Sequence, residues 1–237
     1  MKVAVIFLMS ETDVDVVVRH SLISLLRDTD YDYDLFVVSN NAKVEVCDIL
    51  DRYGKDKFKL FLRNHSNTGI AQGYNYGLAF CKGYDLVVRY NADYLVEESH
   101  WLKIMTEFVS FNPIAAQISM RYFDGVFNYG VRPKVGIIES NHWEVPWIHC
   151  GVVGMTWQAL KKVGALYAPS KNKWWPVSED YGVRVIMSGL KNYYVDINGA
   201  YFTHKHVGKR NILLGKPLDE FRKHQKSYRA DNSYIPI

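Results

Sequence analysis

The chain is poor in cysteine and in long apolar segments. Its only three cysteines are Cys47, Cys81 and Cys150, which are far apart and lack metal-ligand spacing. A sparse, odd number of cysteines favours reduced thiols over a disulfide framework, so we expect a cytoplasmic protein. No segment approaches the roughly 18 consecutive apolar residues that a membrane span requires. We therefore expect no transmembrane segment, and peripheral contact with a membrane surface stays open.

Two common phosphate-binding motifs are also missing. The sequence contains neither a phosphate loop ending in Gly-Lys-Ser/Thr nor a dinucleotide fingerprint of spaced glycines. The segment after the first predicted strand, MSETDVD (Met9 to Asp15), has no glycine or lysine. A nucleotidyltransferase typically carries a glycine-rich basic loop there, so that class is the poorer alternative. The net charge of +4 suits anionic ligands but does not establish nucleic-acid binding.

Apolar strand patterns alternate with helical patterns through the first half of the chain. Such alternation predicts right-handed crossovers and a doubly wound sheet. We predict an α/β fold with a mostly parallel, Rossmann-like central sheet, flanked by helices, and a smaller antiparallel portion. The predicted strands cover Lys2–Met9, Asp34–Asn41, Lys59–Asn64 and Asp85–Asp93, and the predicted helices cover Asp13–Arg27, Val44–Tyr53 and Gly69–Lys82.

The second half is less regular. It contains a candidate hairpin turn at Asp124-Gly125 and strand-like pieces in NYYVDING and AYFTHKH. Further helices are predicted over Trp157–Val163, over Glu179–Ser188 and from Pro217 onward. With no internal repeat or low-complexity linker, we assign one domain, residues 1–237. It comprises a regular half (1–95), a less regular half (96–210) and a basic helix with a tail (211–237).

The predicted strands of the first half end in polar side chains. Ligands of doubly wound sheets bind beyond the carboxyl ends of the strands, so we expect these side chains to meet in one crevice. They are Ser39, Asn40, Asn41, Asn64, Asn91 and Asp93. Asp93 can hold Mg²⁺ or Mn²⁺ that bridges two phosphate oxygens. Alternatively, it belongs to a strand-ending turn, where Asn and Asp are favoured for backbone reasons.

Three other segments offer polar groups, each with a structural alternative. In NHSNTGIAQGYNYG, residues Asn67, Gly69 and Asn75 lie in a strand-to-helix transition. The helix N-terminus there suits a diphosphate, or the glycines simply pack the helix on the sheet. Ser178 is a candidate N-cap. Glu179 and Asp180 would follow in the first helical turn, where they complement the helix dipole or supply a general base. Only one of these two neighbours can address a given atom well.

The third segment is THKH, where His204 and His206 share one face of a predicted strand. They could bind one metal ion or two phosphate oxygens, or lie on the surface as ordinary histidines. Nearby, Lys209 and Arg210 could neutralise a diphosphate, or they are solvated charges.

Taken in order, these segments resemble the GT-A fold glycosyltransferases, specifically the large family-two group, over roughly Lys2 to His206. NTGIAQGYNYGLAFCKG resembles that family's N-x-G-x-x-x-A-x-N-x-G segment, with Gly73 or Tyr74 in place of the usual small or basic residue. YNAD falls at its Asp-x-Asp motif, with Asn91 in place of the first Asp. SEDYGVRVIMSGLK matches its Glu-Asp motif.

The resemblance implies an inverting transfer from a nucleoside-diphosphate sugar, UDP-linked in our prediction, to an acceptor hydroxyl. Residues 1–95 would then bind the nucleotide sugar and residues 96–210 the acceptor. Asp180 would be the base, with Glu179 beside it, and Mn²⁺ or Mg²⁺ would lie on Asp93 and His204. Donor contacts are expected from Ser39, Asn40, Asn67, Gly69, Asn75, Asn91 and Asp93, and diphosphate contacts from Lys209 and Arg210.

The acceptor site is expected near three tryptophans, Trp147, Trp174 and Trp175, which could stack on a sugar or could serve in the core or at a dimer interface. A glycan, a lipid-linked saccharide, a protein and a modified DNA base all stay open as acceptors. A weakly active or inactive nucleotide- or sugar-binding domain is the non-enzyme alternative, because Asn91 carries less charge than the Asp it replaces.

Overall fold

A computed structural model describes residues 1–11, 13, 15–53, 55–123, 128–129, 142–148, 151–167, 177–195 and 201–204. Several sequence predictions lie outside these residues. They are Cys150, the Asp124-Gly125 turn, Trp174, Trp175, His206, Lys209, Arg210 and the helix from Pro217 onward.

Strands and helices alternate from the start of the chain, as the sequence predicts. The strands are β1 (Val3–Ser10), β2 (Asp34–Asn40), β3 (Phe58–Asn64), β4 (Leu86–Asn91), β5 (Tyr94–Val96), β6 (Ala115–Phe123), β7 (Asn128–Tyr129), β8 (His142–Val145), β9 (Val152–Thr156), β10 (Lys191–Val195) and β11 (Tyr201–His204). The helices are α1 (Asp15–Arg27), α2 (Val44–Tyr53), α3 (Ile70–Leu78), α4 (Trp101–Phe111), α5 (Trp157–Val163) and α6 (Val177–Met187), with a 3₁₀ turn at Lys55–Lys57.

The central sheet has the order β3-β2-β1-β4-β9-β6-β10-β8. β1 to β4 are mutually parallel, and β10 is parallel to β6. The antiparallel members are β9, between β4 and β6, and β8 at the edge. β11 joins β5 to β6, and β7 pairs with β6. The mostly parallel α/β sheet with a smaller antiparallel portion is thus confirmed.

β1 explains why its sequence is apolar throughout. Val5 and Phe7 belong to the core on one face of the sheet, whereas Ala4, Ile6 and Leu8 belong to the core on the other. Both faces are covered by helices, so neither set of side chains alternates with polar residues.

Several helix boundaries differ from the prediction: α1 begins at Asp15 and not at Asp13, and α3 and α6 differ at both ends. α3 ends at Leu78 and not at Lys82, because the amides of Phe80 and Cys81 bond carbonyls only three residues back and the chain turns towards β4 through Gly83 at φ 90°. α6 begins at Val177, so Ser178 lies inside its first turn and the N-cap prediction for Ser178 is wrong.

Two of the cysteines are buried free thiols, Cys47 and Cys81. Burial raises the pKa of the Cys81 thiol to about 12, so this side chain stays protonated and is a packing residue. Among the described residues, no helix combines the length and apolarity needed to cross a bilayer.

The packing of α3 on β1 yields a stability prediction at Gly77. A Cβ there would lie 2.7 Å from Cγ2 of Ile6, a fully buried β-branched side chain that has no room to move. Overpacking typically costs about 1–3 kcal/mol, which exceeds the roughly 0.5–1 kcal/mol that alanine gains over glycine within a helix. We expect Gly77→Ala to lower the free energy of unfolding, measured in urea. Gln72→Ala on the same helix is the control, and an unchanged or higher stability for Gly77→Ala would contradict this packing.

Candidate active site

Asp93 lies at the carboxyl edge of the sheet, in the turn between β4 and β5, and its side chain is only 8% exposed. Backbone bonds fix this turn from both sides. The amide of Asn91 donates to the Gly151 carbonyl over 3.1 Å, and the amide of Ala92 donates to the Leu8 carbonyl over 3.0 Å. The chain therefore holds a carboxylate at the edge where sheets of this class bind ligands.

The backbone of His204 lies beside this turn. β11 runs antiparallel to β5, and their register sets His204 opposite Tyr94, the residue after Asp93. Among the described residues, no group of three His, Cys, Asp or Glu side chains forms a metal cluster. A cation held mainly by substrate phosphates uses only one or two protein carboxylates. Asp93, with the strand of His204 alongside, fits a cation of that kind.

Asn40, at the end of β2, uses both the nitrogen and the oxygen of its side-chain amide in hydrogen bonds. Its Nδ2 donates to Oδ1 of Asn67 over 3.1 Å and to the Gly69 carbonyl over 3.0 Å. Its Oδ1 accepts from the amide and hydroxyl of Thr68, and more weakly from Asn64. Asn40 thus ties the end of β2 to the loop that starts α3.

Glu11 extends this network, and the sequence analysis did not identify it. Its carboxylate accepts from Nδ2 of Asn41 over 2.7 Å and from Nδ2 of Asn67 over 3.1 Å. Asn41 adopts φ 64°, a left-handed conformation that asparagine tolerates. The available signal was an acidic residue directly after β1, at the same edge as the polar ends of β2 and β3.

Three further predicted donor residues also make contacts within the protein. The hydroxyl of Ser39 accepts from the Ala42 amide over 3.3 Å. Gly69 precedes α3 at φ 89°, a conformation that favours glycine, and its amide donates to Oδ1 of Asn67. Asn75 binds the Leu166 backbone twice, donating to its carbonyl over 2.7 Å and accepting from its amide over 3.0 Å.

Asn91 contacts Tyr74, and Tyr74 in turn contacts Arg89; the sequence analysis assigned neither to the site. The Tyr74 hydroxyl, on α3, donates to Oδ1 of Asn91 over 2.6 Å. The Arg89 guanidinium lies over the Tyr74 ring, 5.6 Å from its centroid. Arg89 is 2% exposed, and its guanidinium nitrogens have no hydrogen-bond partner among the described residues. Asn91 departs from the Asp-x-Asp pattern, which is a signal that its surroundings in the fold differ. Nothing in the sequence showed which residues lie next to it in space.

Asp180 lies in the first turn of α6 and is 2% exposed. Its Oδ2 accepts from Nε of Arg184 over 3.0 Å and lies 2.9 Å from Nη2. Nη1 of Arg184 donates to the Val163 and Ala165 carbonyls. The pair is therefore anchored to the end of α5. Glu179 is more exposed than Asp180, so the two neighbouring acids differ in environment.

Tyr181 and Trp147 flank this acidic turn. Burial raises the pKa of Tyr181 to about 12, although the positive charges of Arg184 and Arg89 act to lower it. The hydroxyl therefore stays protonated. A Cβ on Gly182 would lie 2.5 Å from Cβ of Trp147 and 2.7 Å from its Cα. The segment of Trp147 thus packs directly on α6, two residues after Asp180.

Comparison with known proteins decides the family. The sequence profile of a family described as "Glycosyl transferase family 2" matches residues 15–163, more than half of the chain. The chain belongs to glycosyl transferase family 2. It therefore carries this family's glycosyltransferase domain, and the nucleotidyltransferase alternative is excluded. The search of curated proteins found no match to the chain.

Solved structures show that this member of family 2 has the GT-A fold. GalNAc-T7, solved with UDP, GalNAc and Mn²⁺, superposes with a TM-score of 0.71 at 12% identity, covering 86% of this chain and 44% of that one. A Pyrobaculum calidifontis mannosyltransferase, PcManGT, was solved with GDP-Man and Mn²⁺. It superposes with a TM-score of 0.67 at 16% identity, covering 100% of this chain and 66% of that one. S. aureus TarS superposes with a TM-score of 0.63 at 15% identity, covering 87% of this chain and 37% of that one. The chain thus spans less than two thirds of each of these proteins.

The Asn75 contacts generate a test of its role. In Asn75→Ala the buried amide and carbonyl of Leu166 lose their partners, which costs about 1–3 kcal/mol per unsatisfied group. We expect a lower free energy of unfolding in urea and an unchanged affinity for UDP with Mn²⁺ by calorimetry, with Gln72→Ala as the control on α3. Unchanged stability with clearly weaker UDP binding would instead assign Asn75 to the donor.

Proposed function

We propose that this domain transfers a sugar from a nucleoside-diphosphate sugar, UDP-linked, to an acceptor hydroxyl with inversion at the anomeric carbon. The observation that carries the proposal is the position of Asp93. It is a buried carboxylate at the carboxyl end of β4, flanked by the strand of His204. That is where a GT-A sheet presents a ligand-binding edge.

The cation and the donor are inferred together. Asp93 supplies one oxygen ligand and His204 lies in the adjacent strand, so the diphosphate would complete the coordination of Mn²⁺ or Mg²⁺. Such a cation would neutralise the departing nucleoside diphosphate. Two of the similar structures were solved with a nucleotide or nucleotide sugar and Mn²⁺, which supports the same chemistry here. Lys209 and Arg210 remain proposed diphosphate contacts.

Asp180 is the proposed base. The acceptor hydroxyl gives its proton to the Asp180 carboxylate while its oxygen forms a bond to the anomeric carbon. The bond from that carbon to the diphosphate breaks, and the nucleoside diphosphate leaves with the electron pair. Arg184 holds the carboxylate through Oδ2 and so fixes its orientation. Glu179, the more exposed neighbour, would lie beside the reacting groups without taking the proton.

The acceptor is proposed to bind along the segment of Trp147. This segment packs on α6 at Gly182, next to the turn that carries Asp180, so a sugar stacked on the indole would lie close to the base. Trp174 and Trp175 remain proposed acceptor contacts from the segment that precedes α6. A glycan, a lipid-linked saccharide, a protein and a modified DNA base all have hydroxyl groups that fit this scheme.

A change at Asp180 tests the base. We expect Asp180→Asn to slow hydrolysis of the best nucleotide sugar by about 10²–10⁴-fold, the usual contribution of general acid–base catalysis, because an amide does not take the proton. UDP binding with Mn²⁺ should survive.

The control for the Asp180 experiment is its neighbour, Glu179→Gln, which should keep most of the activity. Urea unfolding must accompany both, because Asp180→Asn also breaks a buried ion pair. Normal turnover by folded Asp180→Asn, or equal losses in both variants, would refute the assignment of the base.

The cation has its own test at Asp93. We expect EDTA to weaken UDP binding by the wild type, and Asp93→Asn to bind UDP equally with or without Mn²⁺, because an amide oxygen carries no charge. Glu97→Gln, an exposed acid just after β5, is the matched control. Calorimetric titrations measure each affinity, and an Asp93→Asn protein that retains the full response to Mn²⁺ would rule out this cation site.

A further inference from the structure

Two residues from the segments that resemble the family motifs, Tyr74 and Asn91, contact each other. Asn91 stands in place of the first Asp of the Asp-x-Asp motif. They come from different elements, α3 and β4, and the Tyr74 hydroxyl donates to Oδ1 of Asn91 over 2.6 Å. The oxygen of Asn91 that could otherwise face a cation is therefore bonded to the protein.

Arg89 favours the direction of this hydrogen bond in which Tyr74 is the donor. A tyrosine hydroxyl can donate or accept, and the amide of Asn91 could in principle face it with either end. A guanidinium over the ring is attracted to the π electrons and draws electron density away from the phenol oxygen. The hydroxyl thereby becomes a better donor and a poorer acceptor, which favours the amide orientation with Oδ1 of Asn91 towards Tyr74.

Burial reinforces the effect of Arg89. Its guanidinium nitrogens are inaccessible to solvent and have no hydrogen-bond partner among the described residues. In a low-dielectric interior a charge polarises its neighbours more strongly than in water. The Tyr74 ring, itself 1% exposed, lies within reach of that charge.

The amide nitrogen of Asn91 is left for a ligand. Asn91 is partly exposed at the end of β4, and no partner of its Nδ2 occurs among the residues that the structure describes. Nδ2 has two hydrogens and no available lone pair, so it donates to an oxygen and does not bind a cation. The neighbouring Asp93 has the opposite property, because an ionised carboxylate has only acceptor oxygens and can bind a cation.

We propose that Tyr74 is a positioning residue that holds Asn91 as a hydrogen-bond donor to an oxygen of the nucleotide sugar, leaving the cation to Asp93. This rests on the proposed function, because it requires the sugar nucleotide to bind at this edge. The oxygen is either a hydroxyl of the transferred sugar or an oxygen of the nucleotide itself.

A double-mutant cycle tests the coupling. Calorimetry with Mn²⁺ compares Tyr74→Phe, Asn91→Ala and the double variant, using UDP and the tightest-binding UDP-sugar. We expect Tyr74→Phe to weaken binding by about 3–10-fold, the equivalent of one net hydrogen bond. The double variant should bind no more weakly than Asn91→Ala. A loss seen only with the UDP-sugar identifies a sugar hydroxyl, and an equal loss with UDP identifies a nucleotide oxygen.

A second readout separates this role from a structural one. At saturating UDP, the EPR signal of free Mn²⁺ should show the same Mn²⁺ affinity in wild type, Tyr74→Phe and Asn91→Ala. Additive losses in the cycle, or weaker Mn²⁺ binding by Asn91→Ala, would overturn the inference. If wild-type protein binds no nucleotide or nucleotide sugar at all, the proposed function itself fails.

If Tyr74→Phe does not fold, Asn91→Asp replaces it in the same titrations. It keeps the acceptor for Tyr74 but lacks the Nδ2 donor. We expect it to bind UDP-sugar more weakly than wild type with Mn²⁺, and unchanged or tighter binding would overturn the inference.

Discussion

The pairing of β4 with β1 on one side and β9 on the other is the constraint on which the candidate site depends. The parallel register reaches Asn91, which lies opposite Leu8, and the antiparallel register reaches Tyr90. After the last paired residues, the Gly151 carbonyl accepts from the Asn91 amide and the Leu8 carbonyl accepts from the Ala92 amide. The position of Asp93 is therefore set by backbone bonds from both neighbouring strands, and a rigid carboxylate is what preorganised binding of a charged ligand requires.

The asparagine and aspartate residues predicted for the site divide into two groups. Asn40, Asn67 and Asn75 use their amides within the protein, because buried polar groups must find partners. In doing so they hold the loop before α3 and the segment after α5 against the sheet. Asn91 and Asp93 occupy the turn of β4 itself, where Tyr74 binds one end of the Asn91 amide. The first group holds these segments in place, and the second is the one that we propose contacts the donor.

Local patterns predicted much of the fold because they report burial directly. β1 is apolar throughout since both of its faces are covered, and α5 ends at Gly164, which adopts φ 88°. No element was predicted for residues 101–111, which form α4, or for residues 152–156, which form β9. The antiparallel insertion of β9 depends on pairing with distant strands, which leaves no local signal. For the same reason the contacts of Tyr74 with Asn91 and of Glu11 with Asn67 were not foreseen, although Asp93 and Asp180 were chosen from their motifs.

Hydrogen–deuterium exchange with and without UDP and Mn²⁺ tests the central claim most directly, namely that the carboxyl edge of β2 and β4 binds a nucleoside diphosphate. Ligand binding slows exchange where backbone opening is suppressed. The account predicts added protection in residues 39–41, 67–73 and 91–96, with residues 101–111 on the helix α4 unchanged. Protection confined to other segments, or no protection at concentrations of UDP and Mn²⁺ that saturate related enzymes, would contradict it.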